Sequence, residues 1–408
     1  MDSNYRASTC PSEMISFGLG DRLGNAGAAH LKLLQAYNVF PVLAQQSTRE
    51  LSLTKRTYAD VVKAACEQSV ELAWERGFGA DGDHLKTAKD IRTALEAGCR
   101  MITLDCSDEF PKTEQKGIDY WGSLSSEKQA LYQALYEEYL VFSNEHDPSC
   151  EPLEEAEFHD TLAYFEPVFL FIKRIYEETI LPEPAKIDFE ISIDETAFET
   201  PPFAHWLLGG VLRADQIEIF SVAPRFTGAF EKGIDYIGDP DAFRVSLRFH
   251  EAIADHYGHR LSIHSGSDKY SIFPIIAEEL KRPYHLKTAG THWLVAVELI
   301  AETKPELFRD MYHLAEQSFT DAKKLYSIYT EAEDIADVSE FSEEEYPALL
   351  QHPNYRQFFH ISYGALLRNH AIHDGMYREM DANKDRYHEL LNINLKKHLD
   401  KLNLEQRI

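Results

Sequence analysis

Short β-rich runs that end in polar clusters alternate along the chain with longer stretches of helical periodicity. "MISFGLGDRLG" (14–24) leads into "AAHLKLLQAY", and "VFPVLAQQSTRE" (39–50) into "TYADVVKAACEQSVELAWERG". "GFGADGDHLK" (77–86) leads into "TAKDIRTALEAG", and "RMITLDCSDE" (100–109) follows. A helical stretch rich in Glu, Tyr and Leu then runs from about Glu127 to Thr179. After "LPEPAK" the strand pattern resumes in "IDFEISIDET" (187–196), "IEIFSVAPRF" (217–226), "RLSIHSGSD" (260–268) and "PYHLKTAGTHW" (283–293). Parallel strands need crossover connections, so strands alternating with helices predict a parallel α/β sheet. Eight such units predict a closed (β/α)8 TIM-type barrel, with an open doubly wound sheet as the alternative. The expected organisation is one barrel domain over 1–408. It carries a helical insertion at about 118–181, after strand 4, and a helical C-terminal extension at about 304–408. That extension is expected to break at "QFFHISYGALL" (357–367).

A barrel brings the C-terminal ends of its strands to one face, where its chemistry sits. The polar clusters fall at those ends: Asp21 and Arg22; Gln45, Gln46 and Arg49; Asp81, Asp83 and His84; Asp105 and Asp108; Asp194 and Glu195; Arg225; His264 and Lys269; Lys287. One polar strand end is ordinary turn chemistry. A succession of them points to a shared ligand.

Composition narrows the class of that ligand. With 44% apolar residues the 408-residue chain can bury a sizeable core. A formal charge of −27 speaks against a nucleic-acid partner, which needs clustered Lys and Arg. It leaves room for a small anion, because a few local cations dominate one pocket. Cys10, Cys66, Cys99, Cys106 and Cys150 are odd in number and widely spaced, and read as free thiols of a reducing, cytoplasmic compartment. The first residues lack a basic segment followed by an apolar one, so no signal peptide is expected. No uncharged apolar run approaches the ~20 residues of a membrane span. Walker A, dinucleotide, GxSxG and HExxH patterns are missing, which argues against nucleotide, hydride and acyl-serine chemistry.

The histidines His84 and His264 lie at two predicted strand ends. Neutral imidazoles suit a divalent transition metal, and carboxylates complete such sites. Any one of the chain's 18 histidines can equally be structural. Strand alternation places Asp188, Glu190, Ser192 and Asp194 on one face, either the lumen or the helix layer. A lumen carboxylate at Glu190 is expected either to have its pKa raised by burial, as suits an acid, or to be locked in a structural ion pair with a Lys or Arg. Asp81 and Asp83 also share a face, and spacing does not say which of them works beside His84. Arg22, Arg49, Arg225, Lys269 and Lys287 are cations at the same rim, where some neutralise the site's own acids and others face a carboxylate. Ser265, Gly266 and Ser267 offer donors for oxyanions or sugar hydroxyls. "EKGIDY" (231–236) sets an acid and a base beside a glycine, either as a turn or as part of the site.

Taken in order, "GDRLG", "FPVLAQQS-RE" (Thr48 in the gap), "GFGADGDHLK", "SIDET", "APRFTGAFEKGIDYIGD", "HSGSDK", "HLKTAGT" and "HISYG" resemble the tagaturonate epimerase family. These enzymes interconvert D-tagaturonate and D-fructuronate in hexuronate catabolism with a divalent metal. The likeness runs from about Ser16 to the C-terminal helices, and His292 departs from the family pattern by its size. The resemblance implies Asp83 as proton acceptor and Glu190 as proton donor. It implies His84, His264 and Glu231 as metal ligands, with Glu195 as the alternative to Glu231. The substrate-binding set is expected to be Arg22, Gln46, Arg225, Lys269 and Lys287. The expected partners are the uronate itself and a second copy of the chain in a homo-oligomer, with no nucleic acid and no membrane.

The chemistry suits these groups. In a 2-keto uronate the C4 proton is β to the ketone and is not acidified, so inversion at C4 is expected to proceed by retro-aldol cleavage of C3–C4. A metal ion stabilises the charge that develops, and an acid and a base then need pKa values pushed apart. Alternative readings are a metal-dependent aldose–ketose isomerase, a sugar-acid dehydratase, or a non-catalytic sugar-acid binding protein.

Overall fold

A computed structural model describes residues 6–112, 116–147, 151–196, 198–288, 290, 292–324, 326 and 328–404. Its centre is a closed barrel of eight parallel strands in the order β1 to β8. These are Ile15–Gly18 (β1), Val39–Gln46 (β2), Gly79–Leu85 (β3), Met101–Asp105 (β4), Asp188–Ile193 (β5), Ser221–Pro224 (β6), Arg260–Ile263 (β7) and His285–Lys287 (β8). Each lies inside one of the runs read from the sequence. The open-sheet alternative is excluded, because β1 pairs with both β2 and β8.

Between β4 and β5 stand the helices Gly117–Ser123, Ser126–His146 and Glu155–Ile175, the last running into a π-turn at Tyr176–Ile180. They sit where the insertion was expected. After β8 the chain is helical, and here one expectation is corrected. "QFFHISYGALL" lies within a continuous helix, Pro353–Arg368. Its aromatic and β-branched residues read as a strand because almost all of them are buried, so the apolar stripe covers most of the helix circumference. Cys10, Cys66, Cys99 and Cys106 are free and buried, while Cys150 lies outside the described residues. No helix among the described residues is long and apolar enough to cross a membrane.

The lumen is layered. Its N-terminal end is closed by an apolar cluster of Cys10, Phe40, Val42 and Met101, with Met14 and Phe220 against it. The segment before β1 is pinned there. Cys10 N–H donates to Asp188 Oδ2 at 2.6 Å, and the Arg260 guanidinium donates to the carbonyls of Pro11, Ser12 and Met14 at 2.8, 2.9 and 2.6 Å. Above this floor runs a polar belt. Strand register sets Gln45 opposite Asp81, Glu190 opposite both Thr103 and Ser221, and His285 opposite both Ser16 and Ser262. The predicted Asp188–Asp194 face is therefore the lumen face. A Cβ on Gly18 would stand 2.2 Å from Gln45 Oε1, so any larger residue there would push Gln45 out of its place in the belt.

Burial pushes the Asp188 carboxyl up to about 7, against the pull of the Cys10 N–H and Arg260. The folded chain thus holds a proton that the unfolded chain releases near pH 4. Below pH 4 this group does not weaken the fold. Its destabilisation grows between pH 4 and 7 and is complete above 7. Asp188→Asn is expected to melt higher than wild type at pH 8, with the gap closing as pH falls to 4. Melting curves across that range check this, and a pH-independent gap refutes it.

Candidate active site

The groups that the sequence placed at strand ends meet at the C-terminal mouth of the barrel. His84 and His264 come from β3 and from just beyond β7, and their ring centroids lie 5.1 Å apart. A local irregularity produces the first half of this. Between Gly82 and Leu85 the register of β3 on β4 slips by one residue, and His84 takes a positive φ of 50°. Regular alternation would send Asp83 and His84 to opposite faces. An extra residue at a bulge re-aims one of them, and both reach the mouth.

Around His84 stand carboxylates from the next two strands. His84, Asp105 and Glu195 can each present a ligand atom within 4.8 Å of the other two. His84 Nδ1 is 3.5 Å from Asp105 Oδ2, and His264 Nδ1 is 3.3 Å from Asp194 Oδ1. Neither Nδ1 has a well-formed hydrogen bond among the described residues, although both are buried. Ligands ~2.1 Å from a tetrahedral ion stand ~3.4 Å apart, so these spacings and this donor set fit a divalent cation. Glu231, expected as the third ligand, lines the same cavity as Glu195 and His264. Its Oε2 accepts hydrogen bonds from Tyr329 N at 2.9 Å and Gln357 Nε2 at 2.7 Å.

The carboxylates divide into distinct environments. Asp83 pairs with Lys287 Nζ at the mouth. Burial works to raise its pKa, but Lys287 and His84 outweigh that and hold it down to about 2. Asp81 lies deeper and is saturated. Its Oδ1 accepts from Thr103 N at 3.1 Å and its Oδ2 from Gln45 Nε2 at 3.1 Å, while Thr103 Oγ1, 3.0 Å from Oδ2, gives its one proton to the charged Glu190. Burial, reinforced by Asp83 and Glu190, pushes Asp81 up to about 7. Geometry therefore separates the two aspartates that spacing left equivalent.

Glu190 departs from expectation. The carboxylate is fully buried, and burial alone would raise its pKa, yet His264 and hydrogen bonds hold it well below the carboxylate range. Its Oε1 accepts from His264 Nε2 at 2.8 Å and from Thr103 Oγ1 at 3.1 Å, and its Oε2 from Ser221 Oγ at 2.5 Å. Each hydrogen bond to a charged group contributes ~1.5–3 kcal/mol, enough together to keep the ion in the lumen. Its partner is a histidine, neither the Lys nor the Arg expected of a structural pair. In turn burial opposes the charge on His264, but Asp194 and Glu190 together raise its pKa to about 10.

The expected substrate-binding residues fare unequally. Arg22 and Lys287 line a small inner cavity, and Arg225 lines a larger outer one of about 300 Å³. Lys269 lines the inner cavity too, but its Nζ donates to the carbonyls of Glu231, Ile234 and Ser267 at 2.9, 2.6 and 3.0 Å. All three of its hydrogens are engaged, so it ties the loops after β6 and β7 together. Gln46 is buried at the end of β2, where it donates to Asp21 O at 3.4 Å, and it lines neither cavity. Sequence reasoning did not select Lys232, Tyr326 and His360, which do line the cavities. "EKGIDY" was a faint signal for Lys232. For Tyr326 and His360, in the C-terminal extension, strand-end logic offered none.

The tagaturonate epimerase family profile matches residues 4–402. The chain is 33% identical over 394 residues to a tagaturonate/fructuronate epimerase from Thermotoga maritima, covering 95% of this chain and 80% of that one. Its fold matches crystal structures of the fructuronate-tagaturonate epimerase UxaE from Cohnella laeviribosi, native and with one glycerol bound. The TM-score is 0.93 for each, at 37% identity over 98% of this chain and 84% of that one. A sequence match of this extent, on a barrel whose mouth gathers His84, Asp105 and Glu195 around one point with His264 beside them, makes this chain a member of the tagaturonate epimerase family.

Proposed function

We propose that this chain interconverts D-tagaturonate and D-fructuronate by inverting C4 in a retro-aldol/aldol sequence, with a divalent metal. The observation that carries the reading is the juxtaposition of the His84–Asp105–Glu195 group with the Asp83–Lys287 pair: His84 Nε2 is 3.9 Å from Asp83 Oδ1, Glu195 lines the outer cavity and Lys287 the inner one. His84, Asp105 and Glu195 would hold the metal, and His264, with Asp194 beside it, would be a further ligand. When bound, the metal supplies Lewis-acid stabilisation of the charge that develops at the ketone oxygen, worth several kcal/mol.

Asp83 takes the proton of the C4 hydroxyl. Lys287 keeps that carboxylate ionised and fixed in place. As C4 becomes an aldehyde, the C3–C4 electron pair passes into the enolate spanning C2 and C3. The walls of the outer cavity hold the two halves while the aldehyde turns its other face. The C3–C4 bond then re-forms and a proton returns to the C4 oxygen. The resemblance assigns that return to Glu190. The hydrogen bond from His264 Nε2 favours a second role for Glu190, in which it orients His264 and leaves Nδ1 free for the cation.

Metal-loaded protein in heavy water is expected to convert D-tagaturonate to D-fructuronate without deuterium at carbon, as followed by NMR. Deuterium at carbon indicates enediol isomerase chemistry, loss of water a dehydratase, and binding without turnover a dead binding protein. Asp83→Asn is expected to keep its metal and lose at least ~10²-fold in kcat. For Glu190→Gln the two roles separate. A proton donor loses kcat at full metal occupancy, whereas an orienting group weakens metal affinity ~10–100-fold. Elemental analysis of Glu195→Gln and Glu231→Gln is expected to show metal lost from the first and kept by the second, and the opposite result restores Glu231 as the ligand.

A further inference from the structure

Five cations stand around the two cavities or between them, and four are already committed. Arg22 pairs with Glu50, and Lys287 with Asp83. Arg225 donates to the Thr196 carbonyl, and Lys269 to its three carbonyls. Lys232 differs. Its Nζ donates to Ser265 Oγ at 2.7 Å, and no carboxylate among the described residues forms an ion pair with it. Lys232, Glu231 and Ser265 make the wall shared by the outer and inner cavities.

The inner cavity is about 30 Å³ and is lined by Arg22, Lys232, Ser265, Ser267, Lys287 and His360, among others. One water needs ~10–15 Å³ of such space, so it takes the two oxygens of one carboxylate and excludes a sugar ring. The ring is left in the 300 Å³ outer cavity, beside Glu195 and His264. The inner cavity has a second donor besides Lys232, since Arg22 lines it and the Arg22 Nε is buried without a partner among the described residues. Burial and the like charges of Lys287 and Arg22 hold the Lys232 pKa below its ordinary value, a repulsion that an arriving anion relieves.

Resting on the uronate reading above, we propose that Lys232, with Arg22 and the Ser265–Ser267 turn, binds the substrate's carboxylate in the inner cavity. This contact sets the preference for a keto acid over the neutral ketose that carries a hydroxymethyl group in its place. Lys232 is a specificity residue, and the proton transfers lie with other groups.

The test uses the full chain supplied with Mn²⁺ and measures Kd by calorimetry for D-fructuronate and for the neutral 2-ketohexose D-fructose. Wild type is expected to favour the acid. Lys232→Gln is expected to raise the Kd of the acid by about 10- to 100-fold, the worth of one charge-assisted hydrogen bond, while leaving that of the neutral ketose unchanged. Lys232→Arg is expected to recover part of the loss, which guards against a folding defect. An unchanged acid Kd in Lys232→Gln overturns the proposal, as does equal binding of acid and neutral ketose by wild type. Wild type that prefers the acid but does not epimerise it sinks the proposed activity and leaves the subsite standing.

Discussion

A carboxylate with no access to water lies at the centre of this barrel, and the rest of the site is arranged around keeping it charged. Glu190 is stable there because Thr103 and Ser221, at its own level on the two neighbouring strands, each turn a hydroxyl onto it, and because His264 reaches down from the mouth. Remove any of these and a buried ion is left short of partners, which is costly in a low-dielectric interior. Many barrels fill this layer with branched aliphatic side chains. Here the belt extends through Asp81 and Gln45 to His285 and Ser16, linked by contacts of 2.9–3.3 Å. Such a belt rigidifies the mouth above it, since each member fixes the rotamer of the next.

Electrostatics at the mouth follow from that base. Within a few ångströms, Asp83 is held low by Lys287, Asp81 is pushed up to about 7, and Asp194 and Glu190 draw positive charge to His264, which a cation at Nδ1 satisfies in place of a proton. Neighbouring acids with separated pKa values suit acid–base work. A protein with a formal charge of −27 can still present a locally cationic inner cavity, because Arg22, Lys232 and Lys287 converge there.

The eight strands were legible because each buried run closes on turn residues and the units recur in one order. His84 and His264 were legible as a pair because both fall at strand ends. What sequence hid was partnership at long range. The state of Glu190 depends on a histidine 74 positions away, so burial alone gave the wrong direction. Lys269 looked like a rim cation, but its fate depends on loop carbonyls that no spacing reveals. Asp21 was read as part of the site and instead caps a turn, accepting the backbone N–H groups of Gly24, Ala26 and Gly27. The bulge that turns Asp83 and His84 the same way leaves no mark in "ADGDHLK".

The helices after β8 do more than flank the barrel. Arg356 pairs with Asp268 and donates to the Gly233 carbonyl, Gln357 holds Glu231, and His398 accepts from the backbone of Asp268. The two loops that carry Lys232 and Ser265 are therefore buttressed by residues close to the far end of the chain. A nascent polypeptide still on the ribosome can close its ring of strands while these loops lack their braces. Bracing of these loops therefore waits on the docking of the C-terminal helices, whatever the order in which the strands close.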